Sequence, residues 1–122
     1  MKIIRIDQNN FTLLYSVAAD VFDEEIDVDF LSRYVREENH IMLVALHENT
    51  IIAQVLSIIH KHPDKPTELY VDDLGVAPEF QREGIATLMM KQLFALRKEG
   101  VVKKYGLQQN LIMSKQRVFT GR

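Results

Sequence analysis

The sequence predicts an α/β domain in which helices flank a mixed, largely antiparallel sheet, with elements in the order βααβββα. Three observations lead there. Two β-branched, apolar runs at 41–46 and 51–59 are separated only by His47-Glu48-Asn49-Thr50, the pattern of a hairpin with a short polar loop. A third run, 68–76, alternates loosely, with Leu69 and Val71 followed by Leu74 and Val76. Just after it, Ile85, Leu88, Met89, Leu93 and Leu96 recur at the spacing of one helical face.

The elements follow in chain order. Ile3, Ile4 and Ile6 open a short strand, and Asp7 to Asn10 offer caps for a helix carrying Phe11, Leu14, Ala18 and Val21. Residues 22–29 form an acidic connector, and Asp29 is positioned to cap a second helix with Phe30, Leu31, Tyr34 and Val35 facing the core. The hairpin comes next, then residues 60–67, punctuated by Pro63, Asp64 and Pro66. The third strand follows, and after Pro78 the helix 85–96 ends towards Gly100. No repeat or low-complexity tract interrupts this order.

Composition narrows the function classes. The chain has 122 residues, 47% hydrophobic and 26% charged, which suits one globular domain. No run approaches the roughly 18 apolar residues of a membrane span, and Met1-Lys2-Ile3-Ile4-Arg5 lacks the apolar stretch of a signal peptide, so a cytoplasmic location is expected. There is no cysteine, which excludes disulfides, thiolate metal sites and cysteine nucleophiles, and the four histidines form no metal motif. Of 15 basic residues ten lie in 1–100, together with all 17 acids, leaving five basic residues and no acid in 101–122. The acidic body suits a cationic substrate, and a basic charge confined to the tail argues against nucleic acid.

The segment with chemical content is Val76-Ala77-Pro78-Glu79-Phe80-Gln81-Arg82-Glu83-Gly84-Ile85-Ala86, a strand that feeds a glycine-containing turn and opens a helix. Such a turn presents unpaired backbone N–H groups at a positive helix end, which binds phosphate. Gly84 permits close approach of a ligand, and Ala86 keeps the wall of the loop small. Neither the Gly-Lys-Ser/Thr of a P-loop nor the paired early glycines of a dinucleotide fold are present.

From Leu74 to Ala86 the chain resembles the central motif of GNAT N-acetyltransferases, Gln/Arg-x-x-Gly-x-Gly/Ala preceded by an L-x-V strand, and the resemblance extends over residues 1–100. It implies an acetyl-CoA-dependent acyltransferase acting on a primary amine of a small molecule. It further implies that the strand backbone at Leu74, Gly75 and Val76 pairs with pantetheine, and that Gln81, Arg82, Glu83, Gly84, Ile85 and Ala86 hold the pyrophosphate. The stretch from Glu68 to Val76 is similar to the corresponding strand of aminoglycoside 3-N-acetyltransferases, which suggests an aminosugar or polyamine acceptor.

Transfer to an amine requires that a proton leave it, and Glu68, Asp72 and Asp73 are the candidate bases or cation-binding groups, with Glu68 and Asp73 favoured. Adjacent strand residues face opposite sides, so one of Asp72 and Asp73 is expected to be solvated. Tyr70 and His60 are read as structural.

After residue 100 the resemblance stops. A complete family member continues with a further strand, an Asn-containing loop, a helix bearing a tyrosine that often protonates the leaving thiolate, and two more strands; none is visible in 101–122. Codons for VVKKYGLQQNLIMSKQRVFTGR, re-read from each third base, can encode CKEIWVATEPDNEQAKGFYRA, which resembles that missing segment. The expectation is therefore a partial GNAT domain at 1–100 followed by a basic tail at 101–122 produced by a frameshift. Impaired activity is expected, and an unpaired sheet edge able to recruit a second copy as a homo-oligomer. The alternatives are a non-catalytic CoA-binding remnant and a self-associating interaction module.

Overall fold

The structure, a computed structural model, describes residues 1–96 and the backbone of residues 113–115. Its centre is a five-stranded sheet in the order β1-β2-β3-β4-β5, built from β1 (Lys2–Ile6), β2 (His40–His47), β3 (Thr50–His60), β4 (Glu68–Val76) and β5 (Met113–Lys115). The first four strands are antiparallel to their neighbours, and β5 runs parallel to β4. The sheet is thus mixed and largely antiparallel, as the sequence predicts.

The hairpin is tighter than its four polar residues suggested. His47 and Thr50 pair, leaving Glu48 and Asn49 as a two-residue turn with φ of 49° and 64°. Positive φ at both positions matches the twist of the flanking strands, and asparagine tolerates it better than most residues. Strand β4 spans the predicted residues, and α2 (Ile85–Ala95) buries Ile85, Met89 and Leu93 against the sheet, while Leu88 is left largely exposed.

Three expectations fail in the first third. The helix anticipated after Asn10 is only a single 3-10 turn, Phe11–Tyr15. Beyond it the chain is extended: Ile51 N–H donates to the Ser16 carbonyl at 2.9 Å and Ala18 N–H to the Ile51 carbonyl at 2.8 Å. Strand partners thereby satisfy the backbone groups that a helix would have paired internally, and Leu14 and Val21 still reach the core. The second helix does form, as α1 (Val28–Tyr34), but Asp27 rather than Asp29 caps it, its carboxylate accepting from Phe30 N–H at 2.9 Å. Leu31 is buried, whereas Phe30, expected in the core, is 68% exposed.

The outer edge of β4, expected to be open, is paired with β5 over Leu69–Val71 only. The remaining length of that edge, up to Val76, has no strand beside it among the described residues. Gly100 as a helix stop, and the rest of the 101–122 tail, lie outside the described residues.

Candidate active site

Strand β4 organises the site through an irregularity. Leu56 of β3 pairs with Asp73, and the next residue, Ser57, pairs with Val71, so Asp72 is an extra residue in β4. Without this bulge Tyr70 and Asp73, three positions apart, would face opposite sides. With it, Tyr70 lies opposite Ile58 and Asp73 opposite Leu56, and Ile58 and Leu56 share a face. Both Asp72 and Asp73 therefore turn to the same side, which corrects the expectation that one of them is solvated on the far face.

That side carries a cavity of about 330 Å³. Its floor includes Met42, Leu56, Asp72 and Asp73, and α1 contributes Phe30, Leu31 and Tyr34. The acidic connector closes it with Asp23, Glu24, Glu25 and Asp27. Six carboxylates around a space this size favour a cationic occupant, and Phe22, Phe30 and Tyr34 supply apolar faces beside them. The Tyr34 hydroxyl is buried without a hydrogen-bond partner among the described residues. Its ionisation is pushed up, chiefly by burial and secondarily by the Asp72 charge, against an opposing influence from Arg5. The tyrosine is accordingly a neutral O–H group buried beside the cavity that its residue lines. Its ring stacks on His40 with centroids 4.2 Å apart, and His40 Nδ1 lies 3.1 Å from the Tyr34 carbonyl.

A residue not anticipated from sequence holds the floor. Gln54 on β3 is fully buried, and its Nε2 donates to Asp73 Oδ2 and to the Val21 carbonyl, each at 3.1 Å. Gly75, directly across from Gln54, makes this possible: a Cβ there would stand 2.1 Å from the Val21 oxygen. Only glycine admits the Val21 backbone, just before the connector, so close to β4. A polar residue inside an apolar strand run was the available signal for Gln54, but its partners lie 19 and 33 positions away.

Glu68 sits at the opposite end of β4. Its carboxylate accepts from His62 Nε2 at 2.5 Å, and it does not line the cavity. His60 packs its ring on His62, with centroids 4.3 Å apart, and Tyr70 is half-buried.

At the C-terminal end of β4, Pro78–Phe80 form a 3-10 turn that packs Phe80 edge-on against His47. Arg82 and Gly84 then adopt φ of 66° and 80°, and Gly84 caps α2 with its carbonyl accepting from Leu88 N–H. No backbone N–H of residues 82–87 donates to another described residue. Ile85 is buried and anchors this row of donors to the core. Gln81 Nε2 donates to the Val76 carbonyl at 3.2 Å, which closes the loop back onto the strand. A left-handed turn, backbone N–H groups that donate to no described residue, and the N-terminus of α2 thus lie together after β4, an arrangement whose dipoles favour an anion.

A model of the acetyltransferase (GNAT) family matches residues 4–112. The chain belongs to this family, whose members are acyltransferases. Solved structures agree. An aminoglycoside acetyltransferase from an uncultured soil metagenomic sample superposes with a TM-score of 0.69 at 21% identity, over 94% of this chain and 78% of that one. A second soil metagenomic aminoglycoside acetyltransferase, in complex with sisomicin, gives 0.60 at 22% identity, covering 99% and 76%. Aminoglycoside N-acetyltransferase AAC(6')-Iy in complex with CoA gives 0.61 at 14% identity, covering 94% and 78%. At these identities the likeness is one of fold. Comparison with curated proteins returns no match.

Proposed function

We propose that this chain transfers the acetyl group of acetyl-CoA to a primary amine of a small polycationic acceptor, of the aminosugar or polyamine class. The observation that carries this reading is the β4 bulge, which turns Asp72 and Asp73 together into an acidic cavity on the strand that leads to the free-donor loop. From Asp73 to the end of β4 at Val76 is about 10 Å of strand. A ligand anchored at the loop and running along the open edge would therefore end beside the carboxylates.

In this reading the N–H groups and helix end from Gln81 to Ala86 hold the pyrophosphate, and the backbone at Leu74, Gly75 and Val76 lines the pantetheine arm. Acetyl-CoA supplies an acetyl group already activated as a thioester. The chain's own residues bind and orient: the carboxylates hold the acceptor ammonium, and Asp73 takes its proton directly or through water. Glu68, engaged with His62, is the second candidate. The similar structures include a sisomicin complex and a CoA complex, which supports the acceptor class and the cosubstrate.

Residues 101–122 are, in the same reading, an out-of-frame tail, supported by their uniformly basic charge and by the family-like string in the alternative frame. The family match runs to residue 112, past this proposed boundary near 100. Sequencing the gene decides it: an intact frame with no family-like alternative rejects the frameshift. Association with a second copy through the open part of the β4 edge is the corresponding proposal for assembly.

The test is CoA release from acetyl-CoA, followed with a thiol reagent over sisomicin, spermidine and simple primary amines. Amine-dependent release that is lost in Asp73→Asn supports transfer. CoA-dependent stabilisation without turnover would leave only a binding remnant, and neither response would point to an interaction module.

A further inference from the structure

We propose that Gln54 is a positioning residue for the transfer, which ties the Asp73 carboxylate to the wall of the acceptor cavity. One amide group makes both contacts: Nε2 donates to Asp73 Oδ2 and to the Val21 carbonyl, each at 3.1 Å. The amide orientation is fixed by chemistry, because both partners are acceptors and only the NH₂ end satisfies them. Gln54 is fully buried, so neither contact is exchanged for water when it is lost.

The two partners belong to different parts of the site. Asp73 is on the cavity floor, on the rigid sheet. Val21 follows the turn at Ala19–Asp20 and leads into Phe22, Asp23, Glu24 and Glu25, four residues of the cavity wall. Gly75 brings these parts within reach of a single side chain, since any Cβ there would collide with the Val21 oxygen and come 3.2 Å from Gln54 Nε2. Displacement of the wall by an acceptor therefore pulls on the same amide that orients Asp73. Seating of the acceptor and alignment of the carboxylate become one event rather than two.

This proposal rests on the acetyl-transfer reading of the cavity, so two independent measurements are needed. The variants are Gln54→Leu, which removes the donors, and Gln54→Glu, which keeps the volume and presents acceptors to acceptors; the second serves if the first folds poorly. Amide hydrogen exchange on the full chain reads the wall. Loss of buried bonds of this kind predicts exchange at residues 19–25 faster by about tenfold or more, with 41–46 unchanged within about twofold. Steady-state CoA release with acetyl-CoA and sisomicin reads the floor. The corresponding loss predicts a kcat lower by about tenfold or more, with the KM for acetyl-CoA within about twofold of wild type. In a cycle with Gly75→Ala, the double variant should lose no more than the worse single one.

Unchanged exchange at 19–25 overturns the tie between wall and floor. Faster exchange with an unaltered kcat leaves Gln54 a structural residue and overturns its positioning role. Wild-type protein that releases no CoA removes the transfer reading and the positioning role with it, while the exchange result still decides whether Gln54 links the two parts.

Discussion

Replacing Gly75 by alanine adds one methyl group at the most crowded point of the site. The new Cβ would stand 2.1 Å from the Val21 oxygen, 3.2 Å from the Val21 carbonyl carbon and 3.2 Å from Gln54 Nε2. Two of these contacts are with backbone, which cannot rotate away, so the chain at Val21 must retreat by more than an ångström. Overpacking of this kind costs about 1–3 kcal/mol. The retreat also separates the Val21 carbonyl from the buried Gln54 amide, and a buried polar group left unpaired adds about 1–3 kcal/mol. A loss of about 3 kcal/mol is expected, equivalent to a fall in Tm of roughly 10 °C for a chain of this length. Urea denaturation of the two proteins, with calorimetry alongside, measures it. A loss under about 1 kcal/mol would refute the reasoning, because it would show that the chain at Val21 does not press against β4 in solution.

Other expectations follow from the same geometry. Gly84→Ala meets no atom within 4 Å, so its penalty is the left-handed backbone alone, about 1–2 kcal/mol; Gly84→Asn should cost less, and equal losses in chemical denaturation would count against strain as the cause. Tyr34→Phe deletes a buried hydroxyl without a partner among the described residues and should be neutral to stabilising by about 1 kcal/mol at pH 7. The Tyr34 ionisation is raised above the ordinary value of 10.0, so the unfolded chain gives up this proton first. Its contribution is complete below about pH 10 and is lost as pH rises beyond it, and Tyr34→Phe should flatten that alkaline decline in a pH series of denaturation curves. Self-association through the β4 edge would occupy the backbone proposed for pantetheine, so CoA should shift sedimentation towards monomer; a dimer indifferent to CoA would place the contact elsewhere.

Local patterns carried much of the fold into the sequence. β4 and α2 were legible because each has its own period, two for the strand and 3.6 for the helix, and the hairpin because its loop is short and polar. The stretch after Asn10 departs from the expected helix for a physical reason: Phe11, Leu14, Ala18 and Val21 keep helical spacing, but backbone hydrogen bonds between Ile51 and residues 16 and 18 hold the chain extended just after the 3-10 turn. That competition is between segments and leaves no local mark. The turn at Gly84 that opens α2 was readable from the glycine and the helical spacing after it, whereas the acidic cavity was only half readable. Its carboxylates were visible in 22–29 and at Asp72 and Asp73, but the bulge that turns both aspartates to one face exists only in the pairing of β4 with β3. Gln54 and the true constraint on Gly75 were hidden likewise, since Val21 has to arrive before either matters.

The most direct test of the account is a thermal-shift titration of the chain with acetyl-CoA, because it probes the free-donor loop without requiring a known acceptor. The account predicts dose-dependent stabilisation, reaching about 2.7 kcal/mol when ligand is a hundredfold above Kd, and its loss when Gly84 is replaced by valine. A folded protein whose transition does not move at millimolar acetyl-CoA would contradict it.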